Sequence, residues 1–330
     1  MKISISLLGC AVALMAIGLT GALAQEPALS IQVVGRFDYP GTGNQTRPQK
    51  INDTGDIAGL YVDTSGASRG FIRQRNGTFS PPLVDPNDTS NFTEGRGINN
   101  SRLVCGDYLD GATGTFHGFF FRNGNYTNYD VPNSTTTIVL GVNNAGDFAG
   151  SVTPTGGIQK AFLSLNNAVG TFAVPGATAT LAYQLNASNQ SCGYYVDAAG
   201  VSHGLYRDSD GTVHAPVDPV GSTATILFGN NDANQIVGRY TDASGVTHGI
   251  LFVPPSRFFV FDFPHSTFTS LNGINNEGQI VGRFTDSSAI DHGLLLQVVQ
   301  GGASVELPLA PSPAATQTLP QRPVQIAPAY

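Results

Sequence analysis

Four histidines stand at equivalent points of a repeating pattern, and each follows an aspartate by six or seven residues. The pairs are Asp110 and His117, Asp197 and His203, Asp242 and His248, and Asp286 and His292. An imidazole beside a carboxylate can move a proton, and a neutral imidazole can bind a metal ion. Because each pair flanks a predicted hairpin loop, its two side chains should lie side by side across neighbouring strands. We interpret the pairs as structural Asp/His clasps.

Two other repeats argue against a metal site at the histidine position. They carry Arg69 and Lys160 there, and neither cationic side chain can ligate a metal ion. In the first repeat Asp63 still precedes Arg69 by six residues, so an acid–base pair remains without an imidazole. The pattern therefore predicts hydrogen-bonded clasps, with no metal and no other cofactor.

The longest departure from the repeat supplies a second kind of chemistry. Residues 80–97 read SPPLVDPNDTSNFTEGRG and contain Asp85, Asp88 and Glu94. Glycoside hydrolases use two carboxyl groups that are roughly 5 to 10 Å apart across the scissile bond. Insertions into a regular scaffold are common places for such sites. These three acids are therefore the catalytic candidates, and an enzymatic role requires that two of them face one pocket.

These residues belong to a sixfold internal repeat. Each copy has a marker asparagine, and the intervals between successive markers are 47, 44, 43, 45 and 44 residues. The markers are Asn52, Asn99, Asn143, Asn186, Asn231 and Asn275, and the glycines seven residues after them are Gly59, Gly106, Gly150, Gly193, Gly238 and Gly282. A period near 44 residues with glycine- and asparagine-rich turns is typical of a four-stranded propeller blade. No segment has a sustained helical period, so the sequence predicts an all-β fold.

The two ends of the repeat region complement each other. The sixth unit lacks a fourth strand, and residues 31–41, IQVVGRFDYPG, resemble a fourth strand that precedes the first unit. We therefore predict a six-bladed β-propeller of four-stranded antiparallel blades over residues 25–301, closed by the N-terminal strand. Closure would leave no exposed sheet edge. A solenoid of open sheets is the alternative, but it would need capping units, which the sequence does not show.

The residues at the histidine positions resemble the His-Ala-Phe signature of the HAF family of extracellular repeat proteins. They read HGF at 117–119, HGL at 203–205 and 292–294, HGI at 248–250 and KAF at 160–162. The similarity covers nearly the whole repeat region. It implies an extracellular, propeller-like protein and brings no established catalytic residues.

Both ends of the chain differ from the repeats in composition. Residues 7–19 are apolar and ALAQ at 22–25 offers a signal-peptidase site, so residues 1–24 are predicted to be a secretory signal peptide. The apolar run is too short to span a membrane. Residues 302–330 are rich in proline and are predicted to form a disordered tail. We expect Sec-dependent export to the periplasm or the extracellular space.

Charge and cysteine content limit the partners of the chain. There are 16 Lys and Arg residues against 23 Asp and Glu, and the net charge is −7. This balance provides no basic surface for nucleic acid. Cys105 and Cys192 precede the glycines of the second and fourth repeats, so we predict two buried free thiols rather than a disulfide. We expect a monomer.

If the recurring residues build the scaffold, function must reside in loops, a channel or the tail. The first hypothesis is a secreted, non-catalytic binding or interaction scaffold that presents propeller loops to a glycan, an extracellular protein or the cell envelope. The alternative is a glycan-active hydrolase or lyase with its acids in residues 80–97. A pair of carboxylates that faces one pocket would favour the alternative.

Overall fold

The computed structural model describes residues 29–41, 43–311 and 316–318. Within these ranges the chain forms 25 strands and no helix, which confirms the all-β prediction. No segment in this part of the chain is a helix that could cross a bilayer. The predicted signal peptide, residues 1–24, lies outside the described residues. In chain order the strands are β1 (Leu29–Phe37), β2 (Gln45–Ile51), β3 (Ile57–Val62), β4 (Ser68–Arg73), β5 (Thr93–Ile98), β6 (Val104–Asp110), β7 (Thr115–Arg122), β8 (Asn125–Tyr129), β9 (Ser134–Val142), β10 (Phe148–Pro154), β11 (Lys160–Leu165), β12 (Ala168–Phe172), β13 (Ala179–Leu185), β14 (Ser191–Val196), β15 (Ser202–Arg207), β16 (Thr212–His214), β17 (Ser222–Asn230), β18 (Ile236–Asp242), β19 (Thr247–Val253), β20 (Arg257–Phe261), β21 (Phe268–Ile274), β22 (Gln279–Thr285), β23 (Asp291–Gln300), β24 (Val305–Pro308) and β25 (Thr316–Thr318).

The strands pair as antiparallel meanders in a propeller arrangement, with one meander for each sequence repeat. Four of the six units are complete four-stranded blades of consecutive strands, namely β5 to β8, β9 to β12, β13 to β16 and β17 to β20. The prediction of six such blades is therefore wrong in detail. The first unit has only β2, β3 and β4, and the last has three strands of its own, β21 to β23.

Two prolines interrupt the fourth strand of the first unit. The outer edge of β4 meets the following segment through isolated bridges, which join Arg73 with Phe79, Gly70 with Leu83 and Ser68 with Phe92. Pro81 and Pro82 stand between the first two of these bridges. Because proline has no N–H group to donate, a regular strand ladder cannot form there.

The last unit takes its outer strand from the N-terminal end of the described region. Strand β1 pairs antiparallel with β23, from Leu29 opposite Gln300 to Phe37 opposite Gly293. This pairing confirms the predicted role of the N-terminal segment. It covers an edge of β23 that would otherwise present unpaired N–H and C=O groups.

The marker asparagines form a closed cycle of hydrogen bonds, which we call the asparagine ring. In each unit the side-chain Nδ2 donates to the backbone oxygen of the next marker. The bonds are Asn52 to Asn99 at 3.0 Å, Asn99 to Asn143 at 3.1 Å, Asn143 to Asn186 at 3.3 Å, Asn186 to Asn231 at 3.0 Å, Asn231 to Asn275 at 3.2 Å and Asn275 to Asn52 at 3.0 Å. Because the last donor reaches the first acceptor, the six units surround one central axis.

The same asparagines shape the turn between the first and second strands of each unit. In the last unit Oδ1 of Asn275 accepts the N–H groups of Glu277 at 3.1 Å and Gln279 at 2.8 Å. Gly278 then adopts φ +72°, a conformation that glycine reaches without steric cost. In the second unit Arg102 holds this position with φ +58°. Its guanidinium contacts Asp56 of the first unit at 2.6 Å, which helps to offset the backbone strain.

The glycine seven residues after each marker allows close packing of backbones. A Cβ atom on Gly238 would lie 2.2 Å from the carbonyl oxygen of Ile226, and one on Gly106 would lie 2.0 Å from that of Glu94. In both units a β-bulge in the first strand lies beside the glycine. The recurring glycines are therefore structural.

The C-terminal segment is not wholly disordered, so that prediction is wrong for part of residues 302–330. Strand β24 pairs antiparallel with the outer strand β20, and Glu306 forms an ion pair with Arg257 at 3.0 Å. Strand β25 pairs with β16 in the same way. Both segments cover edges that the outermost blade strands leave unpaired. Residues 319–330 lie outside the described part of the chain.

Candidate ligand site on the propeller axis

The first strands of the units line the axis and bring their backbones close together at one level. Each of these strands contacts the next, and β21 contacts β2. The residues two positions before the marker asparagines form this neck, and they are Lys50, Gly97, Gly141, Gln184, Gly229 and Gly273. A Cβ atom on Gly229 would lie 3.0 Å from the Cα atom of Gly273. The four glycines therefore allow close contact, and the two long side chains fill the remaining space.

Lys50 closes the axis at the neck. Its side chain is buried, and Nζ donates to the backbone oxygens of Phe228 at 2.7 Å and Asn272 at 3.0 Å. Burial lowers the pKa of Lys50 to about 8, because an ammonium group loses its hydration there. Lys50 separates the asparagine ring from the space on its other side.

Beyond Lys50 the axis opens into a cavity of about 170 Å³, which we call the arginine cavity. Its lining residues come from the first two strands of five units. They are Arg47, Gln49, Leu60, Glu94, Arg96, Tyr183, Phe228, Arg239, Asn272 and Arg283. The side chain of Arg47 keeps 35% of its surface exposed, so the cavity is open to solvent at Arg47. Four guanidinium groups thus converge in a protein with a net charge of −7.

Arg96 is bound to two buried carboxylates. Its guanidinium pairs with Glu94 and, at 2.8 Å, with Asp107. Burial opposes the charge of Arg96, but Asp107 and Glu94 raise its pKa above the ordinary value. Burial raises the pKa of Glu94, Arg96 lowers it, and the nearby charge of Asp107 raises it further. One cation is therefore shared between two acids on this side of the cavity.

Asp291 is shared by two arginines on the other side. It contacts Nε of Arg47 at 2.6 Å and Nη1 of Arg283 at 3.1 Å. Burial lowers the pKa of Arg283 to about 10, although Asp291 opposes this shift. The buried Nε of Arg283 has no hydrogen-bond partner among the described residues. On this side of the cavity two guanidinium charges therefore face a single carboxylate charge.

Arg239 has no carboxylate within ion-pair distance in the described part of the chain. Its guanidinium instead lies over the rings of Phe228 and Phe268, 5.3 Å from each centroid. Burial lowers the pKa of Arg239, because its charge is partly removed from water without a close counterion. The two rings hold the guanidinium in place while its N–H groups remain available to a ligand.

The three catalytic candidates of residues 80–97 do not meet in this cavity. The hydroxyl of Thr93 donates to Asp88 at 2.8 Å and accepts the N–H of Asp85 at 3.1 Å. Glu94, the next residue of β5, lines the arginine cavity. Because successive side chains of a strand point to opposite faces, Glu94 is separated from the other two acids. Burial raises the pKa of Asp85, whose Oδ2 has no partner in the described region.

Three histidines each lie between two aspartates. The Nε2 atoms of His203, His248 and His292 are 3.4, 3.3 and 3.3 Å from Asp197, Asp242 and Asp286. The Nδ1 atoms are 2.6, 2.9 and 2.8 Å from Asp218, Asp262 and Asp38. Asp38 and Asp262 directly follow the outer strands β1 and β20, and Asp218 lies four residues after the end of β16. Each clasp therefore ties a hairpin loop to the segment that follows an outer strand.

The fourth histidine contacts its expected partner only through other side chains. Nδ1 of His117 is 2.9 Å from Asp130, and Nε2 is 3.0 Å from the hydroxyl of Thr115. Thr115 in turn contacts Thr113, which donates to Asp110 at 2.9 Å. Two threonines thus bridge Asp110 and His117.

Neither of the two described cysteines belongs to a metal site. Cys105 and Cys192 are free and buried, as predicted. Burial raises the pKa of both thiols to about 12. Within the described ranges no three His, Cys, Asp or Glu side chains are grouped so that they could hold a metal ion.

Apart from Glu94, the residues of the arginine cavity were not identified from the sequence. Several of them occupy one repeat position, three residues before the marker asparagine. In unit order this position holds Gln49, Arg96, Leu140, Tyr183, Phe228 and Asn272. Its side chain differs in every unit, whereas the next residue is glycine in four of the six units. That variation, rather than recurrence, is the signal that could have found the site.

Comparisons with known proteins return similarities only to solved structures. No family model matches the chain, and no curated protein is significantly similar to it. A mutant lectin of Aleuria aurantia in complex with Fucα1-6GlcNAc superposes with a TM-score of 0.48 at 11% identity, over 79% of this chain and 96% of the lectin. A complex of the same mutant lectin with α-methyl-L-fucoside gives a TM-score of 0.45 at 12% identity, over 80% and 95%. Both similarities concern the arrangement of the strands at low sequence identity.

Proposed function

We propose that this protein is an exported, non-catalytic binding protein that holds a small polar ligand of the glycan type in the arginine cavity. The observation that carries the proposal is the convergence of guanidinium, amide and carboxylate groups beside aromatic rings in one open cavity. Polar groups in such a cavity fix hydroxyl groups in orientation, and ring faces pack against C–H groups. A cavity of about 170 Å³ offers space comparable to a single sugar ring.

The engagement of the cavity acids disfavours the hydrolase or lyase alternative. Glu94 is bound by Arg96 and by the hydroxyl of Ser68 at 3.0 Å. Asp291 is bound by two arginines. Hydrolysis of a glycosidic bond needs one carboxyl group that gives up a proton and another that acts as base or nucleophile. In this cavity the acids instead serve to hold arginines in position.

We further propose the context in which this site operates. The six units act as one closed six-bladed propeller, in which the three-stranded first unit counts as a blade; the asparagine ring supports this view. The triplets HGF, HGL and HGI support membership of the HAF type of repeat protein. Residues 1–24 direct export to the periplasm or the extracellular space.

A glycan array probed with the full chain and with Gln49→Trp tests the proposal. Gln49 lines the cavity and is half-buried, so an indole there should fill the space with little effect on the core. We expect the wild type to retain sugars that Gln49→Trp does not. Equal retention by both proteins would place binding elsewhere. Release of shorter glycans by the wild type, lost in Asp88→Ala, would favour the enzymatic alternative.

A further inference from the structure

The charges of the arginine cavity are distributed unevenly. In the second unit one arginine, Arg96, faces two acids, Glu94 and Asp107. In the first and last units two arginines face the single acid Asp291. Arg239 of the fifth unit, which also lines the cavity, adds a cation without a close counterion. One wall therefore carries an excess of about two positive charges, and the opposite wall carries none.

We infer that the ligand is a sugar that carries a carboxylate, such as a uronic acid, and that Arg239 binds this carboxylate. The inference rests on the proposed function, because it assigns a class of ligand to the same cavity. A guanidinium presents its N–H groups in a planar fork that matches the two oxygens of a carboxylate. Arg239 lies beside Arg283, so a bound anion gains more electrostatic stabilisation at this wall than elsewhere in the cavity.

The surroundings of Arg239 hold its guanidinium in position before a ligand binds. Phe228 and Phe268 pack against it, so little conformational freedom is lost when a ligand binds. Phe268 also packs against Arg283, 4.9 Å from its guanidinium carbon. Nε of Arg283 is buried without a hydrogen-bond partner in the described region, so one more donor is left for a ligand. An unpaired buried charge is costly, and a bound carboxylate removes that cost.

Other residues that line the cavity suit the hydroxyl groups of the same ligand. Gln49 contributes an amide that can both donate and accept, Asn272 has a second N–H besides the one that donates to the oxygen of Pro48 at 2.8 Å, and Tyr183 contributes a ring and a hydroxyl. Glu94 is a further acceptor on the lining of the cavity. A sugar ring with one carboxylate matches this set of groups, because the planar fork of Arg239 pairs with the two oxygens of a carboxylate while the amides and the tyrosine reach hydroxyl groups.

Calorimetric titration of the full chain with glucuronate, glucose and glucose 6-phosphate tests the inference. Glucuronate and glucose differ only at C6, so the pair isolates the carboxylate. We expect glucuronate to bind about 10- to 100-fold more tightly than glucose, the range for hydrogen bonds to a charged group. Arg239→Gln should remove this preference, and Arg239→Lys should retain part of it. Arg122→Gln, at an exposed site on β7, should leave it unchanged.

The possible outcomes separate the two proposals. Equal binding of glucose and glucuronate, or tightest binding of glucose 6-phosphate, would overturn the carboxylate inference and leave the proposed function intact. Binding of none of the three sugars, together with an empty glycan array, would overturn both. A preference for glucuronate that persists in a folded Arg239→Gln protein would also contradict the inference, because the charge would then be recognised by another group.

Discussion

The same strands form both ends of the propeller axis, but the side chains that they contribute differ between the two ends. At one end every unit contributes the same residue, an asparagine, and the ring leaves a pocket of only about 50 Å³. At the other end the units contribute different residues to a cavity of about 170 Å³. Lys50 stands between the two. The recurring residues and the proposed binding site thus lie at different levels of the axis.

The difference follows from symmetry. The same junction between neighbouring units occurs six times, so one type of side chain can stabilise all six junctions. A small ligand has no sixfold symmetry, so a site for it needs different groups at equivalent positions. The repeat position of Arg96, Tyr183 and Asn272 meets that need.

The largest effect should come from removing an arginine that neutralises buried acids. Arg96→Gln leaves Glu94 and Asp107 without their cation and should lower the free energy of unfolding by about 3 to 5 kcal/mol at neutral pH. Urea denaturation measures this loss. Arg239→Gln is the matched control and should cost less than about 1 kcal/mol, because it breaks no ion pair. Equal losses would show that the two arginines do not differ in role.

A pH-dependent effect of similar size should come from Lys50. Its pKa is lowered from 10.5 to about 8 in the folded protein, so the unfolded chain binds more protons between these values. Wild-type stability should therefore rise with pH across this window, by about 3 kcal/mol relative to Lys50→Met.

Urea denaturation of wild type and Lys50→Met at pH 7 and pH 10.5 provides the measurement. Lys160→Met is the control, because Lys160 is half-buried at the histidine position, away from the axis. A stability difference for Lys50→Met that does not change with pH would contradict the burial of a charged amine at the neck.

A somewhat smaller effect should come from the asparagine ring. Asn275→Ala removes the side-chain donor to the carbonyl oxygen of Asn52, which keeps only the N–H of Gly55, and removes the acceptor of the N–H groups of Glu277 and Gln279. The expected loss of unfolding free energy is about 2 to 3 kcal/mol. Asn276→Ala, at the exposed neighbouring position, should cost less than about 1 kcal/mol. Thermal unfolding of both variants ranks them, and the reverse order would show that the ring does not hold the units together.

The smallest effect should come from a histidine clasp. Burial works against the charge of His248, but Asp262 and Asp242 raise its pKa above 6.5, so its contribution is full below pH 6.5 and is lost as the pH rises through the folded pKa. Hydrogen bonds from Ser244 and Val246 lower the pKa of Asp242 from 3.8 to about 2, so its contribution is full above pH 3.8 and is lost as the pH falls toward 2.

The clasp should therefore stabilise most between about pH 4 and 6.5. His248→Gln should lower the free energy of unfolding by less than about 1 kcal/mol in this range, since the pair is partly exposed. The loss should shrink at pH 8. Thermal unfolding at pH 5.5 and pH 8 measures it, and a larger loss at pH 8 would contradict the assigned direction.

The recurring features of the fold could be predicted from the sequence. Asparagines and glycines at fixed spacing indicated repeated β units, and the segment around Phe37 indicated the strand that pairs with β23. The three-stranded first unit was not foreseen, although Pro81 and Pro82 explain it. The pairing of β24 was missed because a proline-rich composition indicates disorder and says nothing about an open edge nearby.

The candidate site could not be predicted in the same way. Arg47, Arg239 and Arg283 lie far apart in the chain, and only closure of the ring brings them to one cavity. The sequence favoured the acids of residues 80–97, but Asp85 and Asp88 contact Thr93, whose side chain points to the opposite face of β5 from that of Glu94. The recurring residues identify the scaffold, whereas the candidate site lies at positions that vary from unit to unit.

The most direct test is a crystal structure of the full chain with the sugar that the glycan array retains best. It would show whether a ligand binds in the arginine cavity, at the end of the axis where the units contribute different residues. We expect the sugar in the arginine cavity, in hydrogen-bond contact with Arg239 and Asn272, while the asparagine ring is unchanged. A sugar bound on the asparagine face around Asp53 and Asp232, or on the outer strands, would contradict the account.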